Sequence, residues 1–230
     1  MSTAFRRARD GSIRASFEAV EAGVLTNLIT QLAGLLQDER GEAGFDGLPV
    51  VGPRIRSGLA DDLPAEPDNG SVDGPDDGSA DGPDKGTADE LADDLAASIG
   101  LPTEPVRAPT DPVLARLLPD GYTDDPEAAA EFRRYTEYDL RMGKLSAAAI
   151  VLDTLESGGS IRLDEAQAHE WMRVLNDLRL AIGTRLDVDE DYEATADALP
   201  ADDPLRGLYA VYEWLTWMQD SLVSALSKGR

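Results

Sequence analysis

No cysteine occurs among the 230 residues. Disulfides, thiolate nucleophiles, thiol switches and cysteine-ligated zinc or iron–sulfur centres are therefore excluded. Histidine is almost as scarce. His169 is the only one, so no imidazole set is available for zinc. His169-Glu170 supplies half of a zinc-protease helix, but Arg173 stands where the second histidine belongs, and His169 reads as a surface residue of a helix. Asp187, Asp189 and Asp191 open like a calcium-binding loop. Tyr192 then replaces the required glycine and Ala198 the closing glutamate, so no metal is expected there. No nucleophile elbow, phosphate-binding loop or dinucleotide turn is present. No run reaches the roughly 20 apolar residues of a membrane helix. The segment MSTAFRRARD lacks the apolar stretch of a secretory signal. These absences lead to the expectation of a soluble cytoplasmic protein without metal or cofactor and without enzymatic activity.

Positive charge is also in short supply. Lys and Arg number 21 against 45 Asp and Glu, a formal net charge of −24. Such a field repels phosphates, which argues against direct nucleic-acid binding and against anionic membranes. It favours a basic protein partner. Acidity also keeps a protein soluble, and that simpler use needs no partner.

The charge is unevenly spread. Residues 41–108 hold 11 Gly and 8 Pro, with 16 acids against 4 bases, so half of the net charge sits there. An octapeptide repeats in tandem, DGPDDGSA at 73–80 and DGPDKGTA at 81–88. Low hydrophobicity and self-repelling charge cannot offset the entropy of ordering, so this stretch reads as a disordered acidic insertion. Residues 1–40 and 109–230 then form a single domain around it. Lengthening a loop from about 10 to about 70 residues adds only about 1.7 kcal/mol of closure entropy. Within the insertion, Thr87 and Glu90 form a capping box, and Leu91, Leu95 and Ile99 share one face of a short helix. Those three side chains are the expected apolar anchor for a partner.

The flanking parts read as mainly helical. Asp10-Gly11 turns a hairpin between residues 4–8 and 12–17. A helix over 18–38 carries Val24, Leu25, Leu28, Leu32 and Leu35 on one stripe. Asp111-Pro112 starts a short helix that ends before Pro119, and Asp125-Pro126 starts another that runs towards Arg141. Gly143 is expected to break or kink it before a helix resumes to about Leu155. Ile161-Arg162-Leu163 suits a third strand after the Gly158-Gly159 turn. Asp164 caps a helix over 165–187, and Asp203-Pro204 caps the last, over 205–227. The fold class is a mainly α helical bundle with a small antiparallel sheet at one end.

The helix over 165–187 is the most informative. Ala168, Trp171, Leu175, Leu178 and Ile182 make its buried stripe. Asn176, Asp177, Arg179, Thr184 and Arg185 lie among apolar positions, where solubility does not require them. Gly183 costs about 1 kcal/mol relative to Ala in a helix, which suggests close approach by a neighbouring backbone. A half-buried Arg179 needs an acid, and Glu137 and Asp139 are the expected partners. These residues form either a buried network that fixes helix register or a polar ligand pocket. Arg133, Glu137 and Arg141 are spaced as an intrahelical ladder, and Arg134 is expected at the surface. Tyr209, Tyr212, Trp214 and Trp217 suit the core, with room for an exposed apolar patch.

Several blocks resemble one family. They are Phe17 and Glu21, Pro109-Thr110-Asp111-Pro112, Leu117-Leu118-Pro119 with Tyr122, Glu131 to Glu137, Asp139-Leu140-Arg141, and above all Leu175 to Leu186. The chain is similar, over about 1–40 and 109–230, to the actinobacterial domain-of-unknown-function 2017 family. The resemblance implies no established enzymatic activity and a link to oxidative-stress regulation. A cysteine-based sensor cannot operate in this chain. The expectation is a regulator or adaptor working through protein contacts. The alternatives are a ligand-binding protein or enzyme using the 176–185 pocket, and a structural subunit of a larger assembly.

Overall fold

The computed structural model describes residues 3–37, 106–156 and 159–228, all within one compact unit. Leu91, Leu95 and Ile99, with nearly all of the acidic segment, lie outside the described residues.

A three-stranded antiparallel sheet forms one end of this unit. Strand β1 is Thr3–Arg7, β2 is Ile13–Ser16 and β3 is Ser160–Leu163, in the order β1-β2-β3. Gly11 closes the hairpin with a φ of 83°, which an L side chain would resist. Asp10 fixes the same turn by accepting from the Ser12 amide at 3.1 Å and the Ser12 hydroxyl at 2.6 Å. Those two bonds, with Arg162 and Arg14 nearby, hold the Asp10 carboxyl down to about 2. Strand β3 pairs residue for residue with β2, from Ile13 opposite Leu163 to Ser16 opposite Ser160.

Six helices follow among the described residues: α1 Ala19–Gln37, α2 Pro112–Leu117, α3 Pro126–Glu156, α4 Glu165–Leu186, α5 Tyr192–Asp197 and α6 Pro204–Ser227. Four begin on aspartate caps, α3 among them, where Asp125 accepts from the Ala128 amide at 3.0 Å. Asp111 accepts from the amides of Val113 and Leu114, Asp164 makes a reciprocal capping box with Gln167, and Asp203 accepts from the Leu205 amide. Helix α1 is long and apolar enough to cross a bilayer by length and composition. Here Leu25, Leu28, Ile29, Leu32, Leu35 and Leu36 are buried in the protein core instead.

Helix α4 is the hub. It packs against α2, α3 and α6, and it also touches α1 and β3. Its Trp171 is fully buried, stacked on Phe17 at 5.6 Å and meeting Phe5 edge-on at 5.4 Å. The indole N–H donates to the Thr154 hydroxyl at 2.9 Å, so the large ring is buried without an orphaned donor.

Two expectations fail. Gly143 does not interrupt its helix: α3 is one element of 31 residues that runs through it. A single glycine costs only about 1 kcal/mol against Ala, and the neighbours Leu140, Arg141, Met142, Lys144 and Leu145 are good helix formers. Arg134, expected at the surface, is buried to 7% exposure, with its guanidinium 5.2 Å from the centre of the Tyr135 ring. The short helix α5 buries none of its residues, and six residues are too few to display a sustained apolar stripe.

Candidate functional site

The polar residues of α4 and α3 do not converge on one pocket. They fall into four separate arrangements.

The first belongs to α3. Glu137 accepts from Arg133 at 2.8 Å and from Arg141 at 2.7 Å, which is the expected ladder. The ladder also reaches outward. Arg133 pairs with Asp120 and donates to the Leu118 carbonyl, and Arg141 donates to the Leu36 carbonyl at the end of α1. Burial pulls the Arg133 pKa down, but Glu137 and Asp120 outweigh it and leave it raised. Glu137 is thus committed to two arginines and is not the partner of Arg179. Asp139 is exposed, and neither does it meet Arg179.

The second is a groove between α3 and α4. Asp177 is buried and accepts from Lys144 Nζ at 2.7 Å. Burial raises the Asp177 carboxyl, and Lys144 opposes that shift. Asp139, Leu140, Gly143, Ala147, Arg173 and Asn176 complete the groove. Lys144 escaped the sequence reading because pairing across 33 residues leaves no local spacing signal.

The third surrounds Arg179 and corrects its expected pairing with an acid. Its Nε donates to Thr216 Oγ1 at 2.9 Å and its Nη1 to Gln219 Oε1 at 2.6 Å. The guanidinium lies 5.5 Å from the centre of the Tyr212 ring. No described carboxylate forms a salt bridge with it. These neutral partners lie on α6, one helical turn apart, so the ring and two acceptors form a shelf for the cation. Gly183 is explained by the same shelf: a Cβ there would stand 3.3 Å from Tyr212 Cε2. The close approach is by a side chain rather than by a backbone. Arg179, Gly183, Thr184 and Tyr212, with Arg116, Leu180, Asp187 and Val188, line a cavity of about 330 Å³. Thr184 itself is turned back to the Leu180 carbonyl.

The fourth is Arg185, which pairs with Asp111 at 3.1 Å, both side chains being nearly buried. Asp111 is at once the cap of α2 and the counterion of α4, so one carboxylate fixes both helices.

The arrangement can therefore do two different things. Glu137, Asp177 and Asp111 neutralise cations and lock helices together. Arg179 leaves charge facing a cavity. The sequence match spans all of this. The model of a domain of unknown function, DUF2017, covers residues 2–226. The chain belongs to the DUF2017 family. The oxidative stress regulators AosR of Mycobacterium tuberculosis and Mycobacterium bovis are each 36% identical to it over 153 residues, covering 60% of this chain and 69% of theirs. A Mycobacterium leprae protein of the same AosR name is 40% identical over 148 residues, covering 58% of this chain and 67% of its own. No solved structure matches this DUF2017 chain.

The structure also displays a surface the sequence reading did not single out. Phe132, Tyr135, Tyr138 and Met142 recur at three and four residues along α3 and are exposed to 45%, 47%, 69% and 46%. Phe132 is set by Gly121, where a Cβ would stand only 2.6 Å from its ring, and by Tyr122, whose ring meets it edge-on at 5.9 Å. All four bases of α3 are turned inward: Arg133, Arg134, Arg141 and Lys144 have side chains 5–21% exposed. Glu127 and Asp139 remain on the outside. The period of the aromatic residues was readable, but the burial of arginines beside them was not.

Proposed function

We propose that this protein is a non-enzymatic, cytoplasmic regulator in the oxidative-stress response that acts by protein contacts. The single observation that carries the mode of action is the outer face of α3. Four large apolar side chains stand exposed in one stripe, and the helix shows acids beside them while its bases are buried. Aromatic side chains supply most of the energy at protein interfaces, and exposed apolar patches rimmed by polar groups mark such surfaces. Charge complementarity then selects the occupant: a basic partner surface with apolar anchors. The stress-response part of the reading rests on the relatives named oxidative stress regulator. With no cysteine in the chain, signal reception here would differ from thiol oxidation.

The test is peroxide survival of a host strain lacking the gene, complemented with the wild type or with the Tyr135→Ser/Tyr138→Ser variant. Both side chains are on the surface, so the variant is expected to fold, and circular dichroism checks it. Loss of rescue by the folded variant supports the reading. A deletion strain as resistant as its parent removes the stress role, and full rescue by the variant removes the α3 surface.

A further inference from the structure

The sheet presents a second surface, opposite in sign to the outer face of α3. Its three strands carry four arginines and no acid. The chain as a whole has 45 acids and 21 bases. Three of the four arginines form one row. Arg6 lies opposite Arg14, and Arg14 lies opposite Arg162. Cross-strand partners point to the same face of a sheet. Ile13 and Ala15, on either side of Arg14, are buried, as are Ile161 and Leu163 about Arg162. The row therefore stands on the outer face, and all three side chains are exposed. Arg9, in the hairpin turn, is exposed as well.

Like charges set directly opposite destabilise a sheet, and threonine or valine would suit these positions better. The fold relieves only part of the strain. Asp10 Oδ2 accepts from Arg14 at 2.9 Å and from Arg162 at 3.1 Å, so one carboxylate answers two guanidinium groups. Arg6 and Arg9 form no ion pair among the described residues.

The dimensions of the row select its occupant. Arg6 and Arg162 are two strand spacings apart, about 10 Å. Exposed acids bound the row along the chain, Glu18 after β2 and Asp164 and Glu165 after β3. A nucleic-acid duplex is held through on the order of 6–10 phosphates, so it would overrun the row and meet those acids. A helix with carboxylates at i, i+4 and i+7 sets three of them in one stripe about 10.5 Å long. That length matches the row.

We propose that the outer face of the sheet docks an acidic helix of a partner protein, its carboxylates lying against Arg6, Arg14 and Arg162. Arg6 is the leading contact, having no carboxylate of its own. Asp10 keeps Arg14 and Arg162 in line beside it. No residue of the α3 surface takes part.

The test is fluorescence anisotropy of a labelled alanine-based helical peptide with glutamate at i, i+4 and i+7, titrated with the full chain at low salt. The comparison peptides are its glutamine counterpart and an isomer with the same glutamates spread round the helix. Arg6→Thr/Arg14→Thr is the decisive variant. Arg6→Thr alone repeats the test with both Asp10 pairs intact, and Arg107→Ser/Arg116→Ser removes the same charge at two exposed arginines elsewhere. Support requires the striped peptide to bind more tightly than either comparison. The sheet variant should weaken that binding about five- to thirtyfold, the loss expected for two exposed ion pairs, without lowering the thermal midpoint. The Arg107→Ser/Arg116→Ser protein should bind as the wild type does. Equal losses in the two double variants would reduce the effect to net charge and overturn the proposal. So would failure of the striped peptide to bind, or a DNA duplex or phosphatidylserine vesicles binding as tightly. Self-association of the wild type that Arg6→Thr/Arg14→Thr abolishes would give the face to a second copy and overturn it equally.

Discussion

The Glu137 ladder and the Arg179 cavity are built from the same kinds of residue and reach opposite ends. In the ladder, one carboxylate serves two arginines, and those arginines reach on to the Leu118 and Leu36 carbonyls. Charge is cancelled inside the protein, and the result is rigidity between three helices. Around Arg179, an aromatic ring and two neutral acceptors orient the cation without cancelling it. A buried ion pair is a fastening that leaves nothing over for a visitor. A cation held by neutral groups is aimed and still attractive.

The largest expected effect tests the ladder. Glu137→Ala leaves Arg141 without a carboxylate and Arg133 with Asp120 alone, and removal of one side of such a buried network costs about 3–5 kcal/mol. A urea melt showing under about 1 kcal/mol would mean that the hydrogen bonds to the carbonyls hold α3 in place without Glu137.

Arg179→Met is expected to cost less, about 1–2 kcal/mol, because two hydrogen bonds to neutral groups are lost while the methionine keeps most of the packing. Equal losses in Glu137→Ala and Arg179→Met would erase the distinction between the two regions. Gly183→Ala should be smaller still. The gain in helix propensity of about 1 kcal/mol works against displacement of the Tyr212 ring, so the net change stays within about 1 kcal/mol.

The smallest effects are in the acid limb, with opposite signs for two aspartates. Asp10 has its folded pKa lowered from 3.8 to about 2. Its contribution is complete above the unfolded value and is lost as pH falls through that window, so Asp10→Asn should flatten the loss of stability there. Asp177 has its folded pKa raised by burial. Between 3.8 and that raised value the folded state holds more protons than the unfolded one, so stability falls as pH rises. Asp177→Asn should remove that fall. Thermal midpoints of the two variants across an acid pH series would show the opposed slopes, and parallel slopes would contradict both assignments.

Much of the fold was legible because its signals are local. Asp111-Pro112, Asp164 with Gln167, and Asp203-Pro204 each announce a helix start within four residues, and Asp10-Gly11 announces a turn. The mainly helical bundle, the hairpin and the third strand all follow from such signals and from apolar period. The site was legible only in composition. Asn176, Asp177, Arg179, Thr184 and Arg185 were recognised as out of place, but Thr216 and Gln219 lie 37 and 40 residues beyond Arg179. Which helix lies opposite is a fact of packing, and no spacing within one helix encodes it. Glu137 was legible as the middle of the Arg133–Arg141 ladder, but spacing alone does not show that this ladder takes up both of its oxygens. Arg134 is buried, though no spacing around it marks it as such.

The seating of β1 has a consequence in time. The Phe5 amide donates to the Ser221 hydroxyl at 3.1 Å, and β1 packs against α6. Strand β1 therefore finishes against a helix made some 216 residues later. On the ribosome, the hairpin can close on its own as soon as β2 has emerged, since its turn is local. Its docking has to wait until α6 has emerged, and closing so distant a contact is slow. Phe5 and Phe17 remain without Trp171 for most of synthesis. The newborn protein thus passes through a stage in which its hairpin has been made before the core it will cover.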